Sequence, residues 1–193
     1  MSLPRSDWSA CSVISCEPLR LYWSRVNSVA RSRMSFVEDV GMAAIEHKYP
    51  VVVNWLGGRE GSGDITPEAS GKNFPINVPP EFGGQGGETN PEELLTSAIT
   101  GCYSITFGIV AANRKLPIQA VRVEAEGTVE QNGAAFKYRE IVIRPTITLA
   151  SDASDDQVKI AEDMAHKCDA YCIVTNAVRA SVEVKVEPTV IRA

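Results

Sequence analysis

The stretch TNPEELLTSAITGCYSITF, residues 89–107, opens with polar residues and continues as an almost uninterrupted apolar run. Asn90 can cap a helix, Pro91 suits the first helical position, and Glu93 stands where a capping box has its acid. The stretch therefore predicts a long helix that runs to about Ala112.

The apolar part of this helix, residues 97–112, is too short for a membrane span and contains Ser, Thr and Gly, so a buried core helix is expected. The chain has 193 residues, of which 44% are hydrophobic and 22% charged, as in soluble globular domains. Its net charge of −5 argues against a nucleic-acid surface. We expect a cytoplasmic protein with no cofactor and with neither nucleic acid nor membrane as a partner.

The segments around the helix carry strand and helix patterns. Alternating apolar residues predict strands, two of which pair around a turn at Gly133, and a capping-box sequence predicts a second helix. The predicted strands are Tyr49–Asn54, Lys72–Val78, Ala120–Glu130, Phe136–Leu149 and Ser181–Glu187, and the second helix follows Ser154–Gln157. This order predicts an α+β domain with a mixed antiparallel sheet and a long buried central helix.

Residues 1–33 differ in composition from the rest of the chain. They contain five Arg, eight Ser and only two acidic residues, with no clear hydrophobic period. We interpret them as an N-terminal extension without a role in the chemistry, followed by a single domain over residues 34–193. A short helix that docks on a partner chain is the alternative.

Five cysteines lie in the chain, at positions 11, 16, 102, 168 and 172. An odd number without a secretory signal favours a reducing compartment. Cys102 lies in the apolar helix, where a thiol is either core packing or a nucleophile.

Three other residues favour the nucleophile. Arg59 follows the first predicted strand, Glu92 begins the helix that carries Cys102, and Cys172 follows the second helix. A nearby guanidinium stabilises a thiolate and so lowers the thiol pKa, and a carboxylate can orient that guanidinium. Because burial alone would raise the thiol pKa, we expect the Arg59–Glu92 pair to be required.

The sequences TNPEELL with a cysteine ten residues after the first Glu, GGREG upstream and CIVTNAV downstream resemble the OsmC superfamily, which includes the organic hydroperoxide resistance proteins. The resemblance covers about residues 47–187. It implies that Cys102 is the peroxidatic cysteine, Cys172 the resolving cysteine, and Arg59 and Glu92 the activating pair. It also implies an intertwined homodimer that reduces organic hydroperoxides and is recycled by an external lipoyl-type dithiol.

Two features depart from the family pattern. Ile173 follows Cys172, where the family usually has proline, and Cys168 is an additional thiol one helical turn earlier. The choice of Cys168 or Cys172 as the resolving cysteine therefore stays open.

Helix geometry separates Glu92 from Cys102. Ten residues along one helix correspond to about 15 Å along the axis and about 80° around it. Either the helix breaks near Gly101 or the acid comes from a second chain. We expect a homodimer in which Cys102 of one chain meets Arg59 and Glu92 of the other.

Two other functions were weighed. A thiolate metal site could use Cys102, Cys168, Cys172 and His166, although their spacing fits none of the usual zinc patterns. A binding protein without catalysis on the same fold is the other alternative.

Overall fold

The computed structural model describes residues 44–193. The N-terminal extension at residues 1–33, together with Cys11 and Cys16, lies outside the described residues. By its internal contacts the chain divides into Met1–Lys48 and Tyr49–Ala193. The helices and strands given below all belong to the second unit.

The first sheet is three-stranded and antiparallel. It contains β1 (Val51–Leu56), β2 (Ser62–Pro67) and β3 (Phe74–Asn77) in that order. Strands β1 and β3 were predicted, although β1 begins two residues later and β3 is shorter. The pattern missed β2, whose sequence SGDITP contains Gly, Asp and Pro, residues that are depleted in strands.

The second sheet is built on a long hairpin of β4 (Ile118–Asn132) and β5 (Ala135–Leu149). The turn contains Gly133, whose positive φ of 61° suits glycine, so the predicted pairing is confirmed. Strands β6 (Glu183–Val186) and β7 (Thr189–Arg192) lie one after the other along β5, both parallel to it. The sheet is therefore mixed, and β7 was not predicted.

Helix α1 spans Pro91–Asn113 without a break at Gly101. The Asn90 side chain accepts a hydrogen bond from the Glu93 N–H at 2.8 Å, which confirms the predicted cap. Glu93 does not complete a capping box. Its carboxylate instead accepts a hydrogen bond from the Thr89 hydroxyl at 2.8 Å.

The two faces of α1 have different surroundings. One face is buried and consists of Ile99, Tyr103, Phe107 and Ala111. The opposite face is exposed: the side chains of Ile105 and Ile109 are 67% and 58% accessible. The helix is long and apolar enough to cross a membrane by length and composition alone, a test that core helices also pass. The expected core helix is therefore present, with one face buried and the other exposed in the single chain.

The rest of the core comes from β5 and the C-terminal helices. Helix α2 (Asp155–Lys167) has the predicted capping box at Ser154 and buries Ala161, Met164 and Ala165. The Tyr103 hydroxyl donates to the Ala165 carbonyl at 2.7 Å, which ties α1 to α2. A 3₁₀ turn (Cys168–Tyr171) and α3 (Ile173–Val178) follow. The inward side chains of β5 that complete the core are Ile141, Ile143, Ile147 and Leu149.

Candidate active site

The fold brings together two thiols that are seventy positions apart in the sequence, Cys102 and Cys172. Cys102 lies in the middle of α1, and Cys172 is the N-cap residue of α3. The Cys172 sulfur accepts a hydrogen bond from the Thr175 N–H at 3.3 Å, which fixes its position. The two thiols lie close enough for each to shift the pKa of the other. Cys172 is fully buried, whereas Cys102 is partly accessible.

The surroundings of Cys102 favour its thiolate. Burial raises the pKa of Cys102, but hydrogen bonds outweigh this effect and bring the pKa below its ordinary value. In decreasing order of effect, the donors are the Cys172 thiol, the Val174 N–H, the Thr106 hydroxyl and the Ile173 N–H. All four belong to the same chain. The requirement for the Arg59–Glu92 pair stays a prediction, because that pair is expected from a second chain.

The surroundings of Cys172 favour its protonated form. Burial raises the pKa of Cys172, and the hydrogen bond and charge of Cys102 raise it further, while the Thr175 hydroxyl and N–H partly oppose these effects. When one of the two thiols ionises, it is therefore Cys102, and Cys172 keeps its proton and donates. Within the pair, Cys102 is the more acidic thiol.

The third thiol, Cys168, lies in different surroundings. It is buried in the hydrophobic core, and burial together with the charge of Asp169 raises its pKa to about 11. It does not line the cleft at Cys102 and is not among the groups that hydrogen-bond to that sulfur. The geometry therefore places Cys172, rather than Cys168, beside Cys102.

An open cleft of about 520 Å³ leads to Cys102. Its lining is mainly apolar and includes Ala98, Ile105, Tyr171, Ile173 and Val174. Such a lining accepts an alkyl or aryl group better than a small polar molecule.

Arg59 does not lie at this cleft within the chain. Its side chain is exposed and lies over Gly83, so that a Cβ added to Gly83 would be 3.2 Å from Arg59 Nη1. Within residues 44–193 Arg59 forms no ion pair, and in particular none with Glu92.

Glu92 lines a separate cavity of about 560 Å³, together with Phe136 and Tyr138. Its Oε2 atom is buried and has no hydrogen-bond partner among the described residues. A buried carboxylate oxygen without a donor is costly, so this cavity suits a group that donates a hydrogen bond to Glu92. Because α1 is continuous, Glu92 stays far from Cys102 of its own chain, as the helix geometry requires.

Sequence reasoning missed the donors around the two sulfurs. Thr106 lies one helical turn after Cys102, and this i, i+4 spacing was the signal that could have identified it. The main-chain donors at positions 173 and 174 carried no such signal, because they depend on where α3 begins.

The residues of the alternative metal site are not gathered. His166 is exposed on α2, whereas Cys168 faces the core. Residues 44–193 contain no group of three His, Cys, Asp or Glu side chains with the geometry to hold a metal ion.

Comparisons with known proteins agree with this architecture. Residues 84–187 match the family model described as OsmC-like protein. The chain is 32% identical over 145 residues to YmaD, an uncharacterized protein of Bacillus subtilis, covering 75% of this chain and 95% of YmaD. It is 30% identical over 121 residues to organic hydroperoxide resistance protein-like 2 of Staphylococcus epidermidis, covering 59% of this chain and 78% of that protein.

A solved structure of an OsmC-like protein of unknown function from Vibrio cholerae has the same fold. It is 18% identical, with a TM-score of 0.65, and the match covers 75% of this chain and 100% of that one. The chain therefore belongs to the OsmC-like protein family, which confirms the resemblance seen in the sequence.

Proposed function

We propose that this protein is a thiol-dependent peroxidase that reduces organic hydroperoxides to alcohols. The observation that carries the proposal is a partly accessible Cys102 in an apolar cleft, with the buried Cys172 beside it. The pKa of Cys102 is lowered and that of Cys172 is raised, and only the first is partly accessible. A thiolate is the nucleophile that peroxide reduction needs.

The first step oxidises Cys102. Its thiolate attacks one oxygen of the peroxide R–O–O–H, the O–O bond breaks, and the alcohol ROH leaves after taking up a proton. Cys102 becomes a sulfenic acid. The apolar cleft supports an organic peroxide as the substrate, because the group R is removed from water there.

The second step forms a disulfide. The Cys172 sulfur attacks the Cys102 sulfenic acid, an S–S bond forms, and water leaves. An external dithiol, of the lipoyl type by family resemblance, then reduces the disulfide by thiol–disulfide exchange and is itself oxidised. The sum is one hydroperoxide and one dithiol converted to alcohol, water and one disulfide.

The proposed assembly is an intertwined homodimer in the cytoplasm. Two exposed apolar surfaces support it: the outer face of α1 with Ile105 and Ile109, and one face of the first sheet with Val51, Val53 and Trp55. A twofold partner would cover such surfaces. In that dimer Arg59 and Glu92 of one chain would meet Cys102 of the other.

Stopped-flow kinetics test the proposal. With dihydrolipoamide as reductant, cumene hydroperoxide should be reduced faster than hydrogen peroxide by the full chain. A binding protein without catalysis would leave Cys102 unoxidised and consume neither peroxide with any dithiol. That result would refute the peroxidase assignment.

A further inference from the structure

Arg59 belongs to a tight turn between β1 and β2. The Gly61 N–H donates to the Gly58 carbonyl at 3.0 Å, so Arg59 and Glu60 occupy the two central positions of this turn. The turn fixes the main chain at Arg59, whereas the long side chain is exposed and has many rotamers. The direction of the guanidinium therefore depends on what the side chain lies against.

The Arg59 side chain lies against a second turn, the 3₁₀ turn Pro80–Phe82, at the Gly83 that follows it. Gly83 has a positive φ of 79°. A Cβ built on Gly83 would lie 3.2 Å from both Cδ and Nη1 of Arg59, which is closer than an ordinary van der Waals contact. The guanidinium group lies here because position 83 has no side chain.

The loop that carries Gly83 is closed at its base. The Asn77 N–H donates to the Thr89 carbonyl at 3.1 Å, and the Asn77 side-chain amide donates to the Gly86 carbonyl. The Gly86 N–H in turn donates to the Val78 carbonyl at 3.2 Å. Asn77 is buried at the end of β3, so these hydrogen bonds join the loop to the first sheet. The surface on which Arg59 lies therefore has a defined position.

The same 3₁₀ turn lines the cavity of Glu92. Phe82 belongs to that lining, and its ring makes an edge-to-face contact with Phe136 at a centroid distance of 4.7 Å. The turn thus contacts the Glu92 cavity through Phe82 and contacts Arg59 through the adjacent Gly83. Arg59 and Glu92 are the two charged residues that the proposed dimer takes from one chain for each site.

We infer that Gly83 is a positioning residue, which acts by leaving room for the Arg59 side chain and so orients its guanidinium toward the shared site. The inference rests on the proposed function, in which Arg59 of one chain meets Cys102 of the other. Gly83 itself contacts neither the sulfur nor the peroxide, and its effect passes entirely through Arg59.

Two glycines of this loop provide matched variants. Gly83 and Gly87 both have positive φ, of 79° and 92°, so alanine is strained at either position. A Cβ at Gly87 meets nothing within 4 Å, whereas a Cβ at Gly83 meets Arg59. Gly83→Ala therefore crowds Arg59, and Gly87→Ala reproduces only the strain. Gly83→Asn is a second variant with the same crowding, because asparagine adopts positive φ more readily than other residues that have a side chain.

The readout is the pH dependence of iodoacetamide alkylation at Cys102 in the reduced full chain, followed by peptide mass spectrometry. Arg59→Ala should move the midpoint upward by roughly 1 pH unit, as expected when a thiolate loses a charged hydrogen-bond donor. Gly83→Ala and Gly83→Asn should move it in the same direction by a smaller amount, and Gly87→Ala should keep the wild-type midpoint. Unfolding temperatures show that each variant is folded.

A double-mutant cycle separates positioning from a general structural effect. In an Arg59→Ala background, Gly83→Ala should cause no further shift, because the group through which it acts is absent. A shift of full size in that background would overturn the inference, and so would equal midpoints for Gly83→Ala and Gly87→Ala.

The remaining outcomes distinguish this inference from the proposed function. An unchanged midpoint in Arg59→Ala would remove Arg59 from the site and would overturn the positioning role of Gly83 with it. Because alkylation needs no peroxide, it is independent of turnover. A chain that shows the expected shifts and yet consumes no hydroperoxide would refute only the peroxidase.

Discussion

Three cysteines in the described residues have three different environments, and their reactivities should differ accordingly. Cys102 is partly accessible to solvent and lies among groups that lower its pKa. Cys172 is buried beside it, and Cys168 is enclosed in the core. A thiol's attack on a peroxide depends on how much of it is thiolate and on its exposure. In the proposed mechanism the same chemical group therefore acts as a nucleophile at Cys102 and as a resolving thiol at Cys172, whereas Cys168 is a packing residue.

Serine variants of the three cysteines separate these roles. Cys102→Ser should abolish peroxide turnover, because no thiolate remains in the cleft. Cys172→Ser should still be oxidised once and should accumulate a sulfenic acid that dimedone labels. Cys168→Ser should turn over at the wild-type rate. Normal turnover by Cys172→Ser together with a loss in Cys168→Ser would assign the resolving role to Cys168.

Cys168 should also give the protein a characteristic alkaline instability. Its pKa is about 11 in the folded protein, above its ordinary value of 9.0, so the folded state holds the proton more tightly than the unfolded state. The contribution to stability is complete below pH 9 and is lost as pH rises from about 9 to about 11, amounting to roughly 1 to 2 kcal/mol. Urea unfolding at several pH values should show this decrease.

Cys168→Ala is the control for that measurement. The substitution lowers stability at every pH by leaving a small cavity, but it should flatten the dependence between pH 9 and 11 relative to wild type. Tyr103 and Cys172, whose pKa values are also raised by burial, add declines that begin near their ordinary pKa values of 10.0 and 9.0 in both proteins, so the difference between the two proteins reports Cys168. An equally steep decline from pH 9 to 11 in Cys168→Ala would show that another group is responsible.

Helix α1 packs against β4, and the two elements approach closely at Gly127. The Tyr138 hydroxyl lies 2.5 Å from the Thr96 hydroxyl and donates to the Glu92 carbonyl at 3.3 Å. A Cβ at position 127 would lie 1.9 Å from the Tyr138 hydroxyl and 2.5 Å from the Thr96 hydroxyl. Glycine is thus needed for this contact between helix and sheet, which also positions the first turn of α1 and Glu92.

Gly127→Ala should therefore destabilise the fold by about 1 to 3 kcal/mol, the usual cost of forcing extra atoms into a packed contact. Thermal unfolding measures this effect. Gly58→Ala is the matched control, because a Cβ there meets nothing within 4 Å and its φ is not positive. Similar unfolding temperatures for the two variants would show that the α1–β4 contact accommodates a methyl group at position 127 without loss of stability.

The molecule as a whole leaves charges and apolar faces that one chain does not satisfy. Arg59 has no ion pair within residues 44–193, the Glu92 carboxylate has a buried oxygen without a donor, and the outer face of α1 is exposed. Each feature would be resolved by a second copy related by a twofold axis. The proposed homodimer thus accounts for three separate observations.

Complementation between two inactive variants tests whether the site is shared. In the proposed dimer each site takes Cys102 from one chain and Glu92 from the other. Cys102→Ser and Glu92→Gln therefore inactivate residues that different chains supply to the same site. When the two chains are co-expressed and mix at random, about half of the dimers are mixed, and each mixed dimer has one complete site out of two. About a quarter of all sites, and hence about a quarter of the wild-type activity, should therefore be recovered. Turnover with cumene hydroperoxide measures the recovery, and light scattering establishes the mass of the particle.

Each variant expressed alone is the control. An absence of recovery in mixed dimers would place Glu92 and Cys102 of the same chain in one site, whereas full activity of Glu92→Gln expressed alone would remove Glu92 from the chemistry. A monomer at micromolar concentration with full activity would contradict the shared site altogether.

Local patterns in the sequence were sufficient to predict most of the helices and strands. The cap at Asn90, the capping box at Ser154 and the alternation on either side of Gly133 depend on neighbours within a few residues, so they could be read from the chain. The spacing from Glu92 to Cys102 was informative for the same reason, since an unbroken helix has a known rise per residue. Strands β2 and β7 were missed because short segments with Gly or Pro carry little periodic signal.

The tertiary structure decided which thiol lies beside Cys102 and which groups lower the Cys102 pKa. Cys168 and Cys172 are only four residues apart, and no local pattern distinguishes them. The 3₁₀ turn between them directs one into the core and the other to α1. The donors at positions 173 and 174 depend on the start of α3 and its contact with α1, which are long-range consequences of packing. Periodicity reports the environment along one element, whereas a reactive site is formed where separate elements meet.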